Sequence, residues 1–128
     1  MTTPFDILAD ARRATAIDTA ERDEARRRTI VSRAYYAAYH QMRRIAGSAD
    51  LDGPRQRSTG IHRSFITFLI RSDDLTLARL GRRLDRLYDA RIKADYRLDR
   101  PVQPGQELGA LKDAERLIEA ATAAGGGR

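Results

Sequence analysis

Val31, Tyr35, Ala38, Met42 and Ile45 step along the chain by four, three, four and three residues. Only an α-helix gathers positions at that stepping onto one face, so the stripe predicts a long amphipathic helix with a core-facing side. Asp18 with Glu21 forms a capping pair that would open this helix, and Gly47 would close it. Elsewhere alanine, leucine and arginine dominate, while glycine and proline are sparse until the links and the ends. That composition reads as helical along its length.

Four further helices follow from the same signals. Thr3, Pro4 and Asp6 make a helix start, which predicts a first helix from Pro4 to about Ala16. Ser48 to Ser58, with Asp52-Gly53-Pro54, reads as a loop. The apolar run Ile61, Phe65, Ile66, Phe68, Leu69 and Ile70 predicts a third helix over Gly60 to Arg71. Ser72-Asp73-Asp74 caps a fourth, reaching about Leu98, and a fifth runs from about Gly105 to Ala123 after Pro101 and Pro104. Short links favour antiparallel neighbours, so the expected fold is all-α, an antiparallel four- to five-helix bundle. Residues 1–123 form one domain on this reading, with 124–128 a flexible tail.

The totals narrow the function classes. A chain of 128 residues is one domain. It has no cysteine and two histidines, so no disulfide frame, thiolate metal site or cysteine nucleophile is available, and neither metal nor cofactor is expected. No stretch is apolar enough to span a membrane and the start lacks the pattern of a secretion signal, which together predict a cytoplasmic protein with no membrane partner. A net charge of +6 points to an acidic partner, nucleic acid first. The charge is nearly all arginine, and a coding bias toward that residue would produce the same surface with no partner at all.

The long second helix carries another stripe roughly opposite the apolar one: Thr29, Arg33, Tyr36, His40 and Arg44. At about 100° per residue, Arg33, His40 and Arg44 fall within about 40° of one another. An imidazole, two guanidiniums and a phenol on one face suit a phosphate or a second copy of the chain. Arg26, Arg27 and Arg28 add a basic run fit to track an RNA backbone, or simply a solvated surface. In the fourth helix, Arg91 interrupts the stripe Leu77, Leu80, Leu84, Leu87, Ala94 and Leu98. A guanidinium there needs partners; Asp95 stands one turn later and Tyr88 one turn earlier, so a structural or interface ion pair is the first reading and ligand binding the second. His62 and Arg63, at the start of the third helix, read as capping or core residues.

Ser32-Arg33-Ala34-Tyr35-Tyr36-Ala37-Ala38-Tyr39-His40 resembles the signature segment of the HEPN family, and Arg91-Ile92-Lys93-Ala94-Asp95-Tyr96 is similar to the Arg-x-x-Ala-Asp-Tyr segment of one of its prokaryotic branches. The order of elements is similar too, over roughly residues 5 to 123. The resemblance implies a helical bundle that dimerises through its long helices. It also implies a metal-independent endoribonuclease of toxin–antitoxin or antiphage-defence type, with Arg33 and His40 as the catalytic pair. An antitoxin, or a small nucleotidyltransferase, would be its partner. Arg44, Tyr36, Arg26, Arg27 and Arg28 would then hold RNA, with Arg91, Asp95 and Tyr96 as structural or interface groups. Two departures stand out: Ala34 follows Arg33 where many members have a polar residue, and Met42 stands where one toxin branch has tyrosine. A non-catalytic module that binds RNA, nucleotide or the partner therefore stays open beside the enzyme.

His40 suits proton transfer because an imidazole titrates near neutrality. Arg33 stays protonated and can only hold and stabilise a phosphorane. One chain offers one candidate histidine for catalysis, so a composite site needs two copies about a twofold axis, with two His40 and two Arg33.

Overall fold

Thr3 and Asp6 cap each other reciprocally at the start of the chain: the Asp6 amide donates to Thr3 Oγ1 at 3.1 Å and the Thr3 amide donates to Asp6 Oδ2 at 2.8 Å. They open α1, Pro4–Arg13, which tightens into a 3₁₀ turn over Ala14–Ala16. The computed structural model describes residues 2–16, 23–46 and 60–125, so Asp18, Glu21 and the expected loop over 48–58 lie outside the described residues. Helix α2 spans Glu24–Ala46, and Asp23 just before it accepts from the Arg26 amide at 2.8 Å, the bond a capping carboxylate makes.

Helix α3 covers Ile61–Ile70 after Gly60, whose φ of 88° only glycine adopts without strain. Helix α4 covers Leu75–Tyr96; Asp74 Oδ1 accepts from the amides of Thr76 and Leu77. It ends two residues short of the expected Leu98, which is 74% exposed and takes no part in the apolar stripe. Helix α5 runs Gln106–Ala124, past the expected end, and Gly125 is buried as its C-cap.

Helices α1, α2, α4 and α5 form a bundle in which sequence neighbours run antiparallel. The first turn of α1 stands beside His40, Arg43 and Arg44 near the end of α2, and the start of α2 meets the end of α4. Helices α2 and α5 are parallel: Arg27 reaches Val102 just before α5, and Gln41 donates to Thr122 near its end. The short α3 rests on α4, and Gly81 lets them approach so closely that a Cβ there would stand 2.7 Å from Leu69 Cβ.

The core gathers Tyr35, Met42, Phe65, Leu69, Leu84 and Leu117, each fully buried. Because α2 touches α1, α4 and α5 together, it is buried over far more than the expected stripe; Ile30, Ala34, Ala37 and Tyr39 are also inside. Only a narrow strip of α2 remains in water, and that strip carries the polar stripe. Among the described residues no helix is long and apolar enough to cross a membrane.

Candidate functional site

Thr29, Arg33, His40 and Arg44 are exposed along this strip, and Tyr36 is half-buried between them. The Tyr36 and His40 rings, one turn apart, lie near parallel with centroids 6.3 Å apart. Within one chain, however, Arg33 and His40 open into different hollows. Arg33 shares one with Thr29, Ser32, Tyr36 and Asp95. His40 shares the other with Arg43, Arg44 and the first turn of α1. The Arg33 guanidinium also meets Asp10 of α1 at 3.3 Å, with both side chains half exposed. Water screens such a pair strongly, so it restrains the arginine without removing it from use.

Behind Tyr36 stands a polar network that ties α2 to α4. Arg91 Nη2 donates to the Tyr36 hydroxyl at 2.6 Å, and its Nε lies 2.9 Å from Asp95 Oδ2. Ser32 Oγ donates to the same carboxylate oxygen at 3.1 Å. The Arg91 guanidinium also sits over the Tyr36 ring and the largely exposed Tyr96 ring. Arg91 thus stays charged with its partners in place: burial opposes the charge, but Tyr36, Asp95 and Tyr96 outweigh it and hold the guanidinium above its ordinary value. Tyr36 accepts from Arg91, which leaves the hydrogen of its hydroxyl free to point toward another acceptor.

Of the two roles expected for His62, capping or core, the structure shows the second. It makes no cap. Its Nδ1 lies 2.8 Å from the hydroxyl of Tyr35, and its ring packs 4.2 Å from Tyr39 and 5.7 Å from Tyr36. Burial, then the neighbouring phenols Tyr39 and Tyr88, hold Tyr35 above the ordinary phenol value, so it remains a donor. Burial first, then Arg91, His40 and Arg43, hold His62 below the usual histidine value. A neutral imidazole accepting at Nδ1 and protonated at Nε2 satisfies both groups. His40 is also held below the usual value, by burial and then by Arg43. Two neutral histidines therefore flank the Tyr36–Tyr39 edge of α2 in a single chain. Nothing in the spacing from residue 35 to residue 62 signals this, because the contact forms across a long link and a separate helix.

The expected basic run is broken up by the fold. Arg28 is buried, and its Nη1 donates to the carbonyls of Ala94, Lys93 and Arg97 at 2.9, 3.1 and 3.4 Å while Nη2 donates to Arg100 at 2.7 Å. These carbonyls belong to the last turn of α4 and the residues beyond it, where the helix dipole favours a cation; those of Lys93 and Arg97 also accept from the Arg97 and Arg100 amides. Glu24 accepts from Arg28 Nε at 2.6 Å and balances the charge. Arg27 Nε donates to the Val102 carbonyl at 2.7 Å. Only Arg26 of the three is fully exposed. Three successive arginines in a helix point about 100° apart, so they could not share one track once two faces of α2 were covered.

Among the described residues no group of three or more histidine, aspartate or glutamate side chains is placed to hold a metal ion. No protein-family model, curated protein or solved structure matches the chain.

Proposed function

We propose that the chain is a HEPN-like, metal-independent endoribonuclease that works as a homodimer, a toxin–antitoxin or antiphage-defence component restrained by an antitoxin or nucleotidyltransferase partner. The observation that carries this reading is the narrow exposed strip of α2, where Arg33, Tyr36 and His40 share one face. Arg91 braces Tyr36 from behind. Pairing two such strips about a twofold axis sets two imidazoles and two guanidiniums around one phosphate, so the separate hollows of each chain become one site.

The chemistry balances on these groups alone. A neutral His40 takes the proton of the 2′-hydroxyl, and the oxygen attacks phosphorus. The His40 of the second copy, entering protonated, gives its proton to the departing 5′-oxygen. Arg33 holds the phosphorane through its fork, and the Tyr36 hydroxyl donates to a non-bridging oxygen. The products are a 2′,3′-cyclic phosphate and a 5′-hydroxyl. His62, bonded to Tyr35 and half-buried, positions the tyrosines.

Cleavage of labelled RNA in EDTA tests this. Wild type is expected to leave cyclic phosphate ends, and His40→Ala and Arg33→Ala to abolish cleavage while remaining folded. An inactive, cleanly folded wild-type dimer would sink the enzyme reading. One observation favours a non-catalytic binding module instead: Ala34, where many HEPN members carry a polar group, is fully buried, so this position faces the core and offers nothing to a substrate.

A further inference from the structure

Of the two arginines on the exposed α2 strip, Arg33 meets a carboxylate and Arg44, among the described residues, does not. Arg33 Nη2 lies 3.3 Å from Asp10 Oδ2, and Asp10 Oδ1 lies 3.5 Å from Arg13 Nη2, so one carboxylate of α1 spans two guanidiniums. The acid that lines the Arg33 hollow, Asp95, is already engaged by Arg91 and Ser32. Asp10 is therefore the counter-charge left to Arg33.

The position of Asp10 is set by α1 and not by the ion pair. Leu8 and Ala11 bury the helix against the bundle, and Arg12 Nη2 ties it to Glu115 of α5 at 2.9 Å. With these holds the helix keeps its place whether or not Arg33 is paired, so the carboxylate stays beside the guanidinium when a ligand arrives. A phosphate gripped by Arg33 then stands next to a group of its own sign, which opposes its entry.

We propose that Asp10 is a built-in competitor for the phosphate that Arg33 holds. It occupies the guanidinium while the site is empty and weakens the grip of Arg33 on a phosphodiester. Full engagement then waits until other contacts have seated the strand. The inference rests on the reading of Arg33 as the phosphate-holding group of the proposed site. The half-exposed setting of the pair suits this task, because water keeps it weak. An exposed pair shifts an equilibrium by about twofold to fivefold, enough to set a threshold without disabling the arginine.

The test measures two quantities on the full chain: affinity for a 2′-O-methyl RNA oligonucleotide, which cannot be cut, and the cleavage rate of ordinary RNA in EDTA. Asp10→Asn is expected to melt as wild type does, to bind the oligonucleotide about twofold to fivefold more tightly, and to raise kcat/KM by a similar factor. In an Arg33→Gln background the same substitution is expected to gain nothing. Asp73→Asn, on the exposed turn between α3 and α4, changes net charge equally and is expected to alter affinity by less than about 1.5-fold. An Arg33-dependent gain in a chain that binds but never cuts keeps the competitor and sinks the ribonuclease reading. A chain that cuts RNA but shows no gain with Asp10→Asn does the reverse. Weaker binding or slower cleavage in Asp10→Asn would show that the carboxylate orients Arg33 for use, and it overturns the proposal. So does a gain that persists with Arg33→Gln or is matched by Asp73→Asn, and so does failure of every form to bind the oligonucleotide.

Discussion

Arg91 on α4 donates a 2.6 Å hydrogen bond to the hydroxyl of Tyr36 on α2, and its guanidinium also lies over the ring of the same tyrosine. The contact joins the helix that carries the candidate site to the helix that supports it. Removing the hydroxyl alone leaves the charge one partner poorer. Tyr36→Phe is expected to destabilise the fold by roughly 1.5–3 kcal/mol, the range for a hydrogen bond to a charged group. Arg91→Met in the same cycle should show a coupling of about 1 kcal/mol or more in urea denaturation. Additive effects would mean that the bond contributes nothing.

Arg28 and Arg26 lie two residues apart and should behave oppositely. Arg28→Met removes the donor to the Ala94 and Arg100 carbonyls and leaves Glu24 unpaired, so a loss of about 3 kcal/mol or more is expected. Arg26→Ala, on the open surface, should stay within about 0.5 kcal/mol of wild type. Thermal and urea denaturation of the two variants side by side provides the check.

Gly81→Ala sets two effects against each other. Alanine favours the helix by about 1 kcal/mol. Its Cβ, however, would stand 2.7 Å from Leu69 Cβ and 3.0 Å from the Ile70 backbone nitrogen, and neither neighbour is the loose end of a side chain. Overpacking of this kind costs about 1–3 kcal/mol, so a net loss is expected, read as a lowered melting temperature. A melting temperature above wild type would show that α3 can move away from α4 freely.

The fold should weaken as pH falls, in part through His62. Unfolded, this histidine titrates near 6.5, and in the fold it titrates lower. Between those values the unfolded chain holds the extra proton, so stability rises with pH across the window. The contribution is complete above 6.5, is lost as pH drops below it, and stays lost below the folded value. His62→Gln removes the titrating group. The fall in urea midpoint between about pH 7.5 and about pH 5 is expected to be larger for wild type than for the variant. Equal falls would show that the histidine binds its proton as readily folded as unfolded.

What could be read from the chain before its fold was the part encoded in short intervals. Thr3 with Asp6, Asp74 before Thr76, and Arg91 with Asp95 are partners within one helical turn, so their contacts follow from spacing. The apolar stripe of α2 likewise marks its core face, and the polar stripe its open strip. Arg28 and His62 escape such reading for a shared reason: each is satisfied from distant chain, one by backbone carbonyls 65 to 72 residues away and the other by a phenol 27 residues away. The Arg33–Asp10 pair escapes it too, since it depends on how α1 lies across α2.

The anchor made by Arg28 binds main-chain oxygens only, apart from Glu24, and every residue type presents the same oxygen. The side chains at 93, 97 and 100 are thereby released from any duty in holding α2 to α4. Lys93 and Arg100, whose side chains are exposed, can be exchanged for other residues while the frame beneath them keeps its shape. A single inward arginine thus makes the neighbouring surface chemically adjustable, a rigid mount whose exposed side chains can be rewritten without rebuilding the bundle.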